Sequence, residues 1–147
     1  MLAKNMKKII SSGAVLSLSR ILLGFVFLWA FLDKTFGLGF ATKSAGAWIH
    51  GGSPTAGFLS HAVQGPLVNF FHKLSGLMVV DWLFMLGLLF VGVTLMTNRW
   101  VKWGAMAGVA MLLLMYLALL WPANNPFVDE HLIYAIVLIY IAMKSES

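Results

Sequence analysis

The sequence predicts an all-α membrane protein, a bundle of four transmembrane helices with short interfacial helices in the long loop between the first and the second. Three observations lead there. Hydrophobic residues make up 61% of the 147 and charged residues only 10%, against about 25% charged in a soluble domain. A chain so poor in polar side chains cannot cover itself with a water-facing surface, and its mean hydropathy is +0.90. The apolar residues fall in runs that match the roughly 20 helical residues of a bilayer core and are too long for the core helices of a small globule. Most charges stand at the ends of these runs. The length allows one domain.

The first span is expected over residues 14–32, interrupted by Arg20 and closed by Asp33-Lys34. Lys4, Lys7 and Lys8 ahead of it imitate a signal peptide, but no clear small-residue cleavage site follows, so the helix is expected to be retained. The second span lies over 82–98, free of charge apart from its flanks, with Trp82 and Trp100 as interfacial aromatics. The third covers 103–121 and stops where Pro122 and the Asn124-Asn125-Pro126 turn break the helix. Within it Gly104 and Gly108 form a small-xxx-small pair, which suits close helix contact and is just as ordinary among bilayer glycines. The last apolar run, 132–143, is too short alone. With Asn125 as its cap and Pro126 in its first position it extends over 126–143, about 27 Å at 1.5 Å per residue. Asp129, Glu130 and His131 then reach the outer interface, and the acidic pair suits a helix N-terminus.

Four spans with the N-terminus inside place Lys4, Lys7, Lys8, Arg99, Lys102 and Lys144 in the cytoplasm, against Lys34, Lys43 and Lys73 outside. The excess of bases inside favours this orientation in the plasma membrane, with both termini cytoplasmic. Asp33, Asp81, Asp129, Glu130 and all four histidines then face outward. The connection 35–80 is too long for an idle loop and has no disordered composition, so an ordered extracytoplasmic cap is expected. In it Gly51-Gly52-Ser53-Pro54 reads as a turn and residues 55–64 as a short helix. Pro66 opens an amphipathic helix with Leu67, Phe70, Phe71 and Leu74 at helical spacing.

Several chemistries are excluded or disfavoured. The net charge of +5 comes from bases scattered singly, which read as topology signals and not as a nucleic-acid surface. Cysteine is absent, which removes disulfides, thiolate metal sites and cysteine-ligated iron–sulfur clusters. There is no GxGxxG, phosphate loop, HExxH or nucleophile elbow, so nucleotide chemistry is disfavoured. His50, His61 and His72 lack the spacing of a helical metal pair; no metal, haem or nucleotide cofactor is indicated.

The residues that can carry chemistry are few. Arg20 is the one charge well inside a span, a position that signals function but also permits snorkelling to the headgroups. No acidic residue shares its depth, so its partner is a lipid phosphate, a ligand oxygen or backbone carbonyls. Asp33, Lys34 and Asp81 end or begin neighbouring spans at similar height, where they can meet, bind a polar head or relay protons, or serve only as boundary charges. On the last helix Phe127, His131, Tyr134 and Leu138 fall on one stripe. His131 can donate to a ligand carbonyl or shuttle a proton, or sit with Tyr134 as an interface residue. Trp48 reads as an interfacial anchor.

Three stretches resemble the DoxX/DoxD family of small membrane proteins, which contains the quinone-linked thiosulfate dehydrogenase subunit. They are RILLG from Arg20 continuing into FLWAFLDKTFGLGFAT, GGSPTAGFLS with VVDWLFMLGLL, and NNPFVDEHLIYA. The matching residues are Arg20, Gly24, Asp33, Lys34, Asp81, Asn125, Pro126, Asp129, His131 and Tyr134. The resemblance implies a four-helix bundle that takes part in oxidising a reduced sulfur compound and passes electrons to quinone together with a second oxidoreductase subunit. The expected catalytic set is Asp33, Lys34, Asp81 and His131, and the expected quinone-binding set is Arg20, Asp129, Tyr134 and Asn125. Membrane lipids, the second subunit and another copy of the chain are the expected partners. Two other readings compete: a non-catalytic binder or transporter of a lipid or small hydrophobic ligand, with Arg20 holding an anionic group, and an assembly partner packed through the Gly104/Gly108 face.

Overall fold

The computed structural model describes residues 11–145; Lys4, Lys7 and Lys8, which entered the count of bases, lie outside the described residues. It is all-helical among these residues. The helices are α1 (Ser12–Phe36), α2 (Val68–His72), α3 (Met78–Thr97), α4 (Val101–Ala118) and α5 (Glu130–Lys144). Three of them, α1, α3 and α4, are long and apolar enough to cross a membrane. The fourth apolar helix, α5, has 15 residues, about 22 Å at the α-helical rise.

The observed boundaries move charged residues into the helices. α1 is capped by Ser11, whose hydroxyl accepts from the Ala14 amide at 3.1 Å, and runs on to Phe36. It ends because Gly37 turns left-handed (φ 64°) and gives its N–H to the Asp33 carbonyl at 2.7 Å, a conformation natural to glycine. Asp33 and Lys34 therefore occupy its last turn. α3 begins at Met78, four residues before the expected start, which puts Asp81 in its first turn.

The last helix departs most from expectation. It starts at Glu130, not at Pro126, because Asp129 is its N-cap and accepts from the Leu132 amide at 3.3 Å. Asn125 instead takes the Phe127 and Val128 amides on its side-chain oxygen, at 2.9 and 3.2 Å. That closes a turn of the kind Asn favours and leaves Pro126 outside the helix.

α1 packs along α3, α3 along α4 and α4 along α5, and a lighter contact of α1 with α5 closes the ring. The core is one apolar face from each, with Leu23 and Phe27 meeting Met85, Val91, Leu95, Ala105, Leu112, Leu138 and Ile141. Within lipid, helices gain little from hydrophobic burial and rely on close packing through small residues. Gly92 lies against the backbone of Leu28, Gly104 against Thr94, and Gly108 against Leu138 and Val91. The Gly104/Gly108 face is thus filled by the chain's own helices, and it is not free for the expected docking of another protein.

The connection between α1 and α3 is ordered. It contains two 3-10 turns, Ser44–Gly46 and Trp48–His50, a π turn at Phe58–Ala62, and the five-residue α2. The amphipathic helix after Pro66 is thus one short turn. Phe71 is buried with Leu59, Val63 and Ala118 in a small second core, while Phe70 is exposed. Gly52 approaches the Gly46 carbonyl so closely that a Cβ would collide with it, which packs the cap against itself.

Candidate functional site

The two ends of the bundle are chemically unlike. At the cap end stand Asp33, Lys34, Asp81, Asp129, His131 and the cap; at the opposite end α3 turns into α4 through Asn98-Arg99-Trp100. Asp33 is 1% exposed, and its carboxylate accepts the amides of Phe40, Ala41 and Thr42 at 3.2, 3.0 and 2.8 Å. It organises the chain leaving α1. The Asp81 carboxylate accepts from the Ser53 hydroxyl at 2.8 Å, the Thr55 hydroxyl at 2.5 Å and the Thr55 amide at 3.3 Å. The Lys34 ammonium donates to the Pro54 carbonyl at 3.1 Å and lies 5.8 Å from the centre of the Phe84 ring.

Lys34 and Asp81 therefore converge, but on the two sides of one turn, Ser53-Pro54-Thr55, and not on each other. These residues anchor the cap to α1 and α3. A third anchor, Gln64, was not singled out from sequence. Its amide donates to Ala118 O at 3.0 Å and its side chain to the Leu119 and Trp121 carbonyls at 3.3 and 2.8 Å, satisfying groups that α4 leaves open at its C-terminus. Only a Gln set between an apolar turn and a helix-opening Pro hinted at it. Trp48 meets Trp82 edge-on with centroids 4.7 Å apart and packs on the main core, so it is a packing residue as well as an aromatic of this end.

Arg20 is far from this group. Its guanidinium donates to the Leu95 carbonyl in the last turn of α3. That is one of the orphan carbonyls of a helix C-terminus, where the macrodipole also favours a cation. Of the three partners foreseen for Arg20, the backbone carbonyl is the one observed, and the residue does not share a site with the histidine or the aspartates.

At the head of α5 the structure joins two predicted site residues. His131 Nδ1 lies 2.7 Å from Asp129 Oδ2, with side chains 11% and 10% exposed. Asp129 uses its other oxygen to cap the helix, so the carboxylate is fixed by backbone and in turn fixes the ring. The predicted stripe divides here. His131 and Leu138 face the interior, while Tyr134 is 38% and Phe127 67% exposed. Asn125 is confined to its turn, and Tyr116 ties that turn to α4 by donating to the Phe127 carbonyl at 2.7 Å. Among the described residues no three His, Asp or Glu side chains gather as a metal ligand set.

Two cavities open elsewhere. One is an apolar groove of about 390 Å³ between α4 and α5, with Met106, Leu113, Ile139 and Met143 in its walls. The other, about 560 Å³, lies at the end opposite the cap and is lined by Asn98, Trp100, Lys102, Trp103 and Lys144. Neither is lined by His131. Comparison with family models, with curated proteins and with solved structures gave no match.

Proposed function

We propose that the chain is the membrane component of a quinone-linked oxidoreductase, of the kind the DoxX/DoxD resemblance implies, passing electrons from a reduced sulfur compound such as thiosulfate to quinone together with a second subunit. The observation that carries this reading is the Asp129–His131 pair. The other acidic side chains at this end with assigned bonds, Asp33 and Asp81, hold the cap, whereas these two buried titratable groups hold each other. The pair stands at the head of α5, with side chains 11% and 10% exposed.

In this reading α5 is a fourth span. Its last residue, Lys144, lines the same cavity as Lys102 at the start of α4, so it runs back beside a helix long enough to cross. Both termini then face the cytoplasm and the cap lies outside the plasma membrane, as the distribution of bases favours.

The donors present suit a quinone head, which accepts hydrogen bonds at two carbonyls. A quinone bound there takes up two electrons and two protons and leaves as the quinol. Asp129 Oδ2 holds the Nδ1 hydrogen of His131 and fixes the ring, leaving Nε2 to donate to a carbonyl and release a proton. The Tyr134 hydroxyl, one turn further on, is a second donor. Asp33, Lys34 and Asp81 support the site by anchoring the cap.

The test is donor-dependent quinone reduction in native membranes. His131→Ala and Asp129→Asn are expected to lower it about a hundredfold or more, the usual weight of a positioned acid or base. Asn caps a helix as well as Asp, so Asp129→Asn removes the charge without removing the cap. Wild-type turnover in His131→Ala, with unchanged abundance and melting, rejects the assignment. The competing reading of a lipid carrier with Arg20 holding the anion loses support because Arg20 already donates to Leu95.

A further inference from the structure

We propose that the turn leaving α1 is a membrane-inserted wedge, with the Phe40 ring at its tip standing among lipid acyl chains beside α1 at the cap end. The inference rests on the chain lying in a bilayer and is independent of the quinone reading. The stretch Phe36-Gly37-Leu38-Gly39-Phe40-Ala41-Thr42 carries no charge. Both of its glycines are left-handed, at φ 64° and 92°, a conformation open to glycine. The chain turns back on α1 as a result. Phe40 meets Trp29 edge-on with centroids 5.1 Å apart, and Trp29 stacks on Phe25 at 5.8 Å. Three aromatic rings thus follow one another down the outside of the helix, with Phe40 73% and Phe25 50% exposed.

Depth decides what covers them. α1 has 25 residues, about 37 Å at the α-helical rise, against about 30 Å for the hydrocarbon core. Trp29 precedes the last residue of α1, Phe36, by seven positions, about 10 Å along the axis. Helical side chains lean toward the N-terminus, which carries its ring deeper still. Even with the whole excess of about 7 Å projecting at the cap end, the Trp29 ring and the Phe40 ring upon it lie inside the hydrocarbon edge. Irregular backbone so close to lipid needs partners of its own. The Gly37 amide donates to the Asp33 carbonyl and the Gly39 amide to the Thr42 carbonyl. The Phe40, Ala41 and Thr42 amides donate to the Asp33 carboxylate. Asp33 therefore holds the turn's backbone near the interface while the Phe40 side chain reaches down to Trp29. Leu22, Val26, Phe36 and Leu38 are exposed around it, and all are apolar, so hydrocarbon is the occupant that fits.

The chain has no cysteine, so a nitroxide can be attached at single introduced cysteines in the full chain, reconstituted in phosphatidylcholine vesicles. Power-saturation EPR then compares collisions with oxygen, which concentrates in hydrocarbon, against collisions with a water-soluble nickel chelate. The oxygen-to-nickel ratio at Phe40→Cys, a change at an exposed position, is expected to approach that at Phe25→Cys in the middle of α1. It should exceed the ratio at Lys43→Cys severalfold. Leu38→Cys, which leaves the Phe40–Trp29 contact in place, should fall between the two. A Phe40→Cys ratio equal to that of Lys43→Cys overturns the proposal, because the turn then lies in water. So does low access to both reagents at Phe40→Cys, which puts the ring against a second copy or another part of the protein.

Discussion

Both ends of the bundle set charged side chains against backbone groups, and they differ in the connection that is held. At the cap end, two carboxylates and an ammonium hold a long connection in place. Asp33 gathers the amides of residues 40–42, while Asp81 and Lys34 grip the Ser53-Pro54-Thr55 turn from two helices. At the other end the connection between α3 and α4 is a tight turn, with Asn98 and Trp100 both left-handed at φ 57° and 54°, and Arg20 secures it from α1 through the Leu95 carbonyl. In an apolar chain each buried backbone group without a partner is costly, so scarce charges are used where the backbone leaves its helices. The Asp129–His131 pair stands out against that pattern, because its members bond to each other.

The sharpest way to break the comparison is to remove Asp33. In Asp33→Ala three part-buried amides lose a charged acceptor, and a hydrogen bond to a charged group contributes about 1.5–3 kcal/mol. A loss of at least about 3 kcal/mol is therefore expected, seen as a lower melting temperature in detergent with new proteolytic cleavage within residues 37–56. Asp33→Asn keeps an acceptor oxygen and should lie between the two. If Asp33→Ala melts like the wild type, the cap is held by its apolar contacts and the carboxylate has another task.

At the opposite end Arg20→Leu removes one donor from a helix C-terminus that keeps some access to water. About 1–2 kcal/mol is expected, from a hydrogen bond made by a charged group and its interaction with the helix dipole. Hydrogen exchange should quicken in the last turn of α3 and leave the cap untouched. Faster exchange in the cap would show that the two ends are coupled and that their separation is wrong.

How much of this was legible in the sequence follows from what residue types encode. The apolar runs gave three spans within a few residues, because length and hydropathy are local properties. The clustering of Asp33, Lys34 and Asp81 at one end was also legible, since all three bound apolar runs. Their partners were not, because the acceptors and donors are mostly main-chain groups of the cap, which any residue carries. The Gly104 and Gly108 pair signalled close contact correctly but not with which helix. The stripe from Phe127 to Leu138 assumed a helix already formed at Phe127; with the start at Glu130 the aromatic falls outside it.

The smallest predicted effect decides where α5 begins. Asn125 and Asp129 are both capping residues, and each binds amides two or three positions ahead. If the helix starts at Glu130, Asn125→Ala opens only a surface turn, costing about 0.5 kcal/mol and changing neither helix content nor the environment of His131. Asp129→Ala then costs more, about 1 kcal/mol for the cap, and also frees the imidazole to rotate. If the helix starts at Pro126, the order reverses, since Asn125 is the cap and Asp129 an exposed residue of the first turn. Melting temperatures of the two variants, with the His131 ring resonances read by NMR, separate the cases. A larger loss from Asn125→Ala would add a turn to α5, restore Phe127 to one face with His131, and return the site to the form the sequence first suggested.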